Sequence, residues 1–235
     1  MLLGAAVDVA AVEVIGARFY SPKEIKAVLN VKEGKPFRLV LLRGAEARLK
    51  ALYLSKGFFE VKITDSIVYT DRGVLVFVKI DEGPRAKLVD IVPVGMERVD
   101  SLSLYRFLRR RVPPNLPVFY DDSIVAEVEE ALYDLYQSCG FPFAEIHSER
   151  VKVGDGLYLV RVYVREGPRV RIRQVLVAGY RAVKPDIIAR EITVKPGELY
   201  NYKKIAESQR RIYSTGLFSQ VDYRLDTADT LATLT

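Results

Sequence analysis

A glycine–aromatic step recurs three times along this chain, each time at the end of an apolar helical stripe, and it limits the fold to a tandem array. It reads Tyr53-Leu-Ser-Lys-Gly57-Phe58-Phe59, then Tyr136-Gln-Ser-Cys-Gly140-Phe141. The third copy, Tyr213-Ser-Thr-Gly216-Leu217-Phe218, has one residue fewer between tyrosine and glycine. A second mark, Glu82-Gly83-Pro84 and then Glu166-Gly167-Pro168, runs straight into an alternating stretch. A third lies between two helical patterns: Glu33-Gly34-Lys35-Pro36-Phe37, Asn115-Leu-Pro-Val-Phe119-Tyr120 and Lys195-Pro-Gly197-Glu-Leu-Tyr200. Self-similarity at a period of about 80 residues marks repeated modules. The marks divide the chain into repeats over 9–83, 84–167 and 168–235, after an N-terminal remnant or tag at 1–8. The sequence stops inside what the pattern makes the third repeat's last strand, so that repeat reads as cut short and the chain as a fragment.

Within one repeat the hydrophobic period changes from two to 3.6 and back. Val12 and Val14, with Phe19 beyond them, set an alternating first strand. Ser21-Pro22-Lys-Glu24 then opens a helix with an N-cap serine, a proline at the first helical position and a capping-box glutamate. A second helix over 39–55 carries Leu42, Ala45, Leu49, Leu52 and Tyr53 on one stripe. Its counterparts carry Ile124, Val128, Ala131, Leu132, Leu135 and Tyr136, begun by Asp121 or Asp122, and Ile205, Ile212 and Tyr213, begun by Asn201. Gly57, Gly140 and Gly216 stand just past these helices, where a left-handed residue ends a helix without a Cβ clash. A hairpin follows: Glu60–Tyr69, a turn at Asp71-Arg72-Gly73, and Val74–Ile80. In the second repeat it is Ala144–Val153, a turn at Gly154-Asp155-Gly156, and Leu157–Val164. In the third, Val221–Leu225 and Leu231–Thr235 read as the corresponding strands. The order β-α-α-β-β predicts an α+β module, two helices on one face of a three-stranded mixed sheet.

Composition narrows the chemistry. Cys139 and His147 are single residues of their kinds. An internal disulfide is therefore impossible, and neither a Cys/His zinc site nor a Ser-His-Asp triad is announced. No catalytic, cofactor or metal site is expected; Cys139 reads as a bystander thiol, His147 as a surface residue, and the Glu-Gly-Pro glutamate as structural. No apolar run reaches the ~18 residues of a membrane helix. The net charge of +6 is compatible with nucleic acid, anionic headgroups or acidic proteins. Arg169, Arg171 and Arg173 alternate on one strand face, and Arg109-Arg110-Arg111 ends a helix; both clusters are candidates for headgroup or acidic-partner contact. A basic nucleic-acid-binding array is the alternative function, although a Gly-x-x-Gly clamp and an aromatic strand platform are both missing.

The β-α-α-β-β order, the Tyr-x-x-x-Gly-Phe step and the Glu-Gly-Pro joints resemble POTRA domains, the polypeptide-transport-associated repeats of BamA/TamA-type outer-membrane assembly proteins. The resemblance covers about residues 9–235. It implies a binding and scaffold segment, not an enzyme, on the periplasmic side of the bacterial outer membrane, ahead of a β-barrel absent from this chain. It further implies unfolded outer-membrane proteins as substrates, accessory lipoproteins as partners, and no nucleic acid. In such domains the strand after the glycine–aromatic step is the exposed edge. Here that is Val61–Tyr69, Glu145–Val153 and Val221–Leu225, which makes Val61, Ile63, Glu145, Ile146, Ser148, Val151, Val221 and Tyr223 the candidate partner-binding residues. An edge strand can template an added strand through its unpaired backbone groups. Lys62, Arg150 and Lys152 could instead protect those edges. The second repeat departs from the pattern in Phe141-Pro142-Phe143 and in its proline-rich, glycine-free interhelix connection.

Overall fold

The computed structural model describes residues 7–99, 106–108, 110–180, 183–228 and 230–235. The first module runs β1 (Val9–Ile15), α1 (Pro22–Leu29), α2 (Leu39–Ser55), β2 (Lys62–Thr70) and β3 (Gly73–Asp81). The middle one contains β4 (Lys87–Val94), helical residues 106–108, β5 (Val118–Phe119), α3 (Asp122–Ser138), β6 (Glu145–Gly154) and β7 (Leu157–Arg165). The third contains β8 (Arg171–Val175), α4 (Pro185–Glu191), α5 (Tyr202–Ser214), β9 (Leu225–Ala228) and β10 (Leu231–Leu234). The α+β class and the mixed sheets expected from the sequence are both present.

Local chemistry accounts for the helix starts. Ser21 accepts from the Glu24 N–H while the Glu24 carboxylate accepts from Ser21, a closed capping box with Pro22 following it. Asp121 accepts from the Ser123 N–H ahead of α3, and Asn201 from the Lys204 N–H ahead of α5. Each satisfies a backbone donor that the helix itself leaves without a partner. Gly57, Gly140 and Gly216, with φ of 88°, 102° and 71°, follow α2, α3 and α5 by two residues.

In the first sheet the order is β1-β3-β2, with β3 parallel to β1 and antiparallel to β2. The third sheet repeats it as β8-β10-β9. The middle sheet is β5-β4-β7-β6, one strand more than the sequence predicts. The addition is the two-residue β5, cut from the interhelix connection. The buried alternation of β3 at Val74, Val76, Val78 and Ile80 meets Ile25, Leu29, Leu42, Leu49 and Tyr53 from the helices in one core. The third module's core joins Val170, Ile172, Val194, Tyr200, Ile205, Ala232 and Leu234. By compactness the chain divides into two units: Met1–Asp90 with Asn115–Ile124 and Lys152–Leu159, and Ile91–Pro114 with Val125–Val151 and Val160–Thr235.

Two strand expectations shift. Phe19 lies beyond β1 and takes part in an aromatic group with Tyr20 and Phe58. The ladder in the third module begins at the Arg224–Thr235 backbone pair, so Val221 and Tyr223 precede β9 instead of lying within it. The Val221 carbonyl accepts from the Gln209 side chain, so a helix residue, not a strand, holds this segment.

Candidate edge-strand sites and the joints beside them

Each three-stranded arrangement has two edges, and the interhelix loop closes one of them. In the first module Gly34 N–H donates to Val9 O, Val9 N–H to Lys35 O, and Phe37 N–H to Val7 O. In the middle module β5 pairs antiparallel with β4 and Tyr120 N–H donates to Ala86 O. In the third, Gly197 N–H donates to Ile172 O, Ile172 N–H to Glu198 O, and Tyr200 N–H to Val170 O. The third sequence mark is therefore an edge cover. Among the described residues no strand pairs with the outer side of β2, β6 or β9, a row of backbone donors and acceptors of the kind that accepts an added strand.

The candidate residues distribute unevenly over these edges. Ile63 is half-buried on β2, and Val61 is buried immediately before it. Both face a cleft of about 450 Å³ between α2 and β2, together with Ala47, Lys50 and Lys62. Arg43 straddles the same groove from α2, 3.0 Å from Asp65 on β2 and 3.2 Å from Glu46. Glu145 is exposed on β6, while Ile146, Ser148 and Val151 are half-buried on it. Val221 and Tyr223 line a different cleft, about 250 Å³, with Ile205 and Ile212 of α5. Lys62, Arg150 and Lys152 do lie on these edge strands.

The other two marks meet in a single joint. The Tyr53 hydroxyl donates to Glu82 Oε1 at 2.9 Å, and the same oxygen accepts from the Arg18 and Phe19 N–H groups at 2.8 Å each. Burial and the neighbouring Glu82 carboxylate push the Tyr53 phenol well above its ordinary range. The middle module repeats this: Tyr136 donates to Glu166 Oε1 at 3.0 Å, beside donors from Glu97 N and Arg98 N. Glu166 is 8% exposed, and its charge is met by three hydrogen bonds to Oε1, the condition on which a buried carboxylate is tolerated. In the third module α5 is 13 residues long where α2 and α3 are 17, and Tyr213 is 59% exposed.

Sequence reasoning missed the joint role of the residue that follows each Glu-Gly-Pro, arginine both times: Arg85 was passed over and Arg169 was read only as part of a basic stripe. Arg85 Nε donates to Lys56 O at 2.8 Å, and Arg169 Nε donates to Cys139 O at 3.2 Å, each carbonyl preceding the helix-stop glycine. Next to them Ala86 N–H donates to Gly57 O and Val170 N–H to Gly140 O. Arg85 also lies 4.9 Å from the Phe19 ring centre and 4.7 Å from that of Phe119. A charged contact, Lys56 Nζ to Asp121 Oδ2 at 2.7 Å, completes the first joint; Tyr200 to Gln137 and Asn201 to Ser138 O are neutral bonds at the second. The proposed arginine stripe is thus partly engaged already: Arg169 donates as above, and Arg171 donates to Gly197 O. In the other cluster Arg109 lies outside the described residues, while the Arg110 and Arg111 N–H groups close a helical turn onto Phe107 and Leu108. His147 stacks on Tyr163 on an exposed face, and Cys139 is a free thiol.

Among the described residues no cluster of three or more His, Cys, Asp or Glu side chains could hold a metal ion, and no helix is long and apolar enough to cross a membrane.

Comparison with known proteins agrees with this architecture. The chain is 26% identical over 226 residues to the outer membrane protein assembly factor BamA of Nitratidesulfovibrio vulgaris, covering 91% of this chain and 28% of that protein. It is 25% identical over 230 residues to BamA of Neisseria meningitidis, covering 88% and 28%. The chain therefore spans less than a third of the length of these curated relatives. The crystal structure of the third to fifth POTRA domains of Haemophilus influenzae BamA superposes with a TM-score of 0.65 at 18% identity, over 99% of this chain and 97% of that one, which shows the shared fold. The POTRA family profile, described as surface antigen variable number repeat, matches residues 7–83 and 170–235. With more than half its residues matched in the order the structure displays, the chain belongs to the POTRA family.

Proposed function

We propose that this chain is a substrate-receiving and scaffolding stretch of an outer-membrane protein assembly factor of the BamA type, working on the periplasmic side of the membrane. Its substrates would be unfolded β-barrel proteins, taken up by strand addition to β2 and β6, and its partners the accessory lipoproteins of the assembly complex. One observation carries the reading: in each sheet the interhelix loop closes the first strand's edge and leaves the second strand's edge open. Main-chain pairing gives affinity with weak sequence demand, which suits a receptor for many different strands. The nucleic-acid alternative gains no support from the relatives, which are outer-membrane protein assembly factors.

The test is proline substitution on β6. Ile146→Pro and Ser148→Pro should each weaken capture of an unfolded barrel peptide, measured by fluorescence anisotropy, because proline removes a backbone donor. Circular dichroism must show the modules still folded. Capture that is undiminished in both folded variants removes β6 as a docking edge.

A further inference from the structure

The long second helix of each module turns one stripe away from its core, and the three stripes compare position by position from the first helical residue. On α3 the stripe is Ser123, Glu127, Glu130 and Asp134, and on α5 it is Lys203, Glu207, Arg210 and Ser214. Polar and charged side chains are what a solvated helix face carries. On α2 the same places hold Val40, Gly44, Ala47 and Ala51. At about 3.6 residues per turn they stand opposite Leu42, Ala45, Leu49 and Tyr53, all fully buried. So α2 is apolar on both sides, the pattern of a helix that is covered on both. Its outer side is exposed in this chain: Val40 is 83% exposed, with Leu39 and Leu41 exposed beside it.

Gly44 narrows what can cover that side. Glycine is the poorest helix former after proline, and nothing within the module calls for it: a Cβ there would meet only the Arg48 guanidinium, at an ordinary 3.5 Å. Small side chains at Gly44, Ala47 and Ala51 let a second helix come close, since side-chain size at the contact sets the distance between packed helices. The borders of the stripe are cationic, with Arg43 and Lys50 on one side and Arg48 on the other. Glu46 is the single acidic residue of α2, and Arg43 already holds it together with Asp65. Two copies packed through this face would therefore set like charges together. A bilayer would gain little, because glycine and alanine bury little apolar area. A helix with acidic borders meets every condition, since charges flanking an apolar seam choose a helix's partner.

We propose that the outer face of α2 docks an amphipathic helix of a partner protein. The apolar side of that helix lies against Val40, Gly44, Ala47 and Ala51, and its borders carry aspartate or glutamate toward Arg48 and Lys50. The stripe is about 16 Å long, roughly three turns of such a helix. Helices α3 and α5, with charge along the same stripe, do not dock it. Ala47 also lines the cleft beside β2, whereas Gly44 and Ala51 belong to the helix face alone. The inference rests on the chemistry of this face and holds whether or not β2 and β6 take up strands.

The experiment uses the whole chain, isotope-labelled, and a capped peptide of about 18 residues, long enough to hold a helix, with leucines along one face and glutamates bordering them. A twin carries lysines in place of the glutamates. At low salt the glutamate peptide should perturb the amides of residues 40–54. Each of two exposed ion pairs contributes roughly 1.4- to fivefold, so it should bind roughly two- to twenty-fivefold more tightly than the twin, and salt should narrow the gap. Gly44→Ala should raise the melting temperature of the free chain, because alanine favours the helix, yet weaken binding by about fivefold or more, the low end of an overpacking cost. Gly44→Glu with Ala51→Asp gives α2 the acidic stripe of α3 and should abolish binding, with circular dichroism unchanged. Failure of both peptides to bind, equal affinity for the two, a Gly44→Ala chain that binds as well as wild type, or shifts centred on α5, β2 or β6 overturns the docking face. So does a wild-type chain that dimerises in sedimentation and loses the dimer in the double variant, or one that prefers phosphatidylglycerol vesicles to the peptide and loses that preference in the double variant.

Discussion

The hydroxyl of Tyr53 donates to the carboxylate of Glu82 at 2.9 Å, so the residue that opens the glycine–aromatic step and the residue that opens the Glu-Gly-Pro joint are partners. Tyr136 and Glu166 repeat the bond at 3.0 Å. Both tyrosines are fully buried, and both glutamates also accept two N–H donors from the turn after the first strand. The bond thereby ties the end of the long helix, the turn and the exit of the module to one another. Tyr136→Phe deletes one donor to a carboxylate that is 8% exposed. A hydrogen bond to a charged group contributes about 1.5–3 kcal/mol, and urea unfolding should show a loss in that range. Tyr213→Phe, at a site 59% exposed, should stay within about 0.5 kcal/mol of wild type. Equal effects in the two variants would remove the bond as the reason for the recurring tyrosine.

How much of this was legible in the sequence differs by level. The helices, the hairpins and the module order follow from periodicity and caps, because those signals are local: Ser21 and Glu24 sit three residues apart and bond each other. The joint is non-local. Tyr53 and Glu82 are 29 residues apart and Lys56 and Asp121 are 65 apart, and no period links such pairs. The repeated arginines at 85 and 169 were a visible signal, but their acceptors are backbone carbonyls, which leave no trace in side-chain identity. The edge cover was hidden for the same reason, since the interhelix loop reaches the first strand mostly through main-chain bonds in the first and third modules, with one side-chain bond beside them in each, from Val12 N–H to Glu33 and from Arg171 to Gly197 O. The third module's early strand assignment erred because Val221–Leu225 has a strand's composition, whereas pairing depends on where the ladder begins.

Gly57 stops a helix and also admits the next module. Its φ is 88°, and a Cβ there would stand 3.0 Å from Tyr120 Cβ and 3.1 Å from Tyr120 O. Gly216 has φ 71° with nothing within 4 Å of its would-be Cβ. Alanine in a left-handed conformation costs about 1–2 kcal/mol, which both sites should show. Overpacking adds about 1–3 kcal/mol at Gly57 alone. Gly57→Ala should therefore destabilise more than Gly216→Ala in denaturant titrations of otherwise identical chains. The reverse order would mean that the close approach to Tyr120 relaxes without cost.

Arg85 and Arg169 occupy equivalent positions with unequal surroundings. Arg85 lies over Phe19, Phe58 and Phe119 at 4.9, 5.9 and 4.7 Å, whereas Arg169 lies over Phe141 at 5.8 Å. A lysine keeps the charge but loses the planar guanidinium and its Nε–H donor. Each partly exposed cation–π contact contributes about 0.5–1 kcal/mol and the lost neutral bond about 1 kcal/mol. Arg85→Lys should therefore accelerate hydrogen exchange at Ala86, whose N–H donates to Gly57 O. Arg169→Lys should have a smaller effect on Val170, its counterpart. Equal acceleration at both joints would show that the aromatic group adds nothing.

The Lys56–Asp121 contact gives the first joint a titratable ion pair where the corresponding contacts at the second, Tyr200–Gln137 and Asn201–Ser138, are neutral. Burial raises the Asp121 carboxyl, but the Lys56 ammonium and the Ser123 donors outweigh it, leaving Asp121 below its ordinary value. The bond to Asp121 holds the Lys56 ammonium above its own ordinary value. Asp121's contribution is present above its unfolded pKa and is lost as pH falls through the depressed folded value. That of Lys56 is present below its unfolded pKa and is lost as pH rises through the raised folded value. Across neutral pH both charges are in place, and a partly exposed pair contributes about 0.2–1 kcal/mol, less in high salt. Asp121→Asn should lower stability by that amount at neutral pH, and the difference from wild type should vanish below the ordinary aspartate range. Lys56→Asp, which sets two carboxylates against each other and leaves the bond from Asp121 to the Ser123 N–H in place, should be the least stable of the series. Denaturant midpoints across pH read both, and a Lys56→Asp chain as stable as wild type at low salt would show that the pair exerts no hold on the joint.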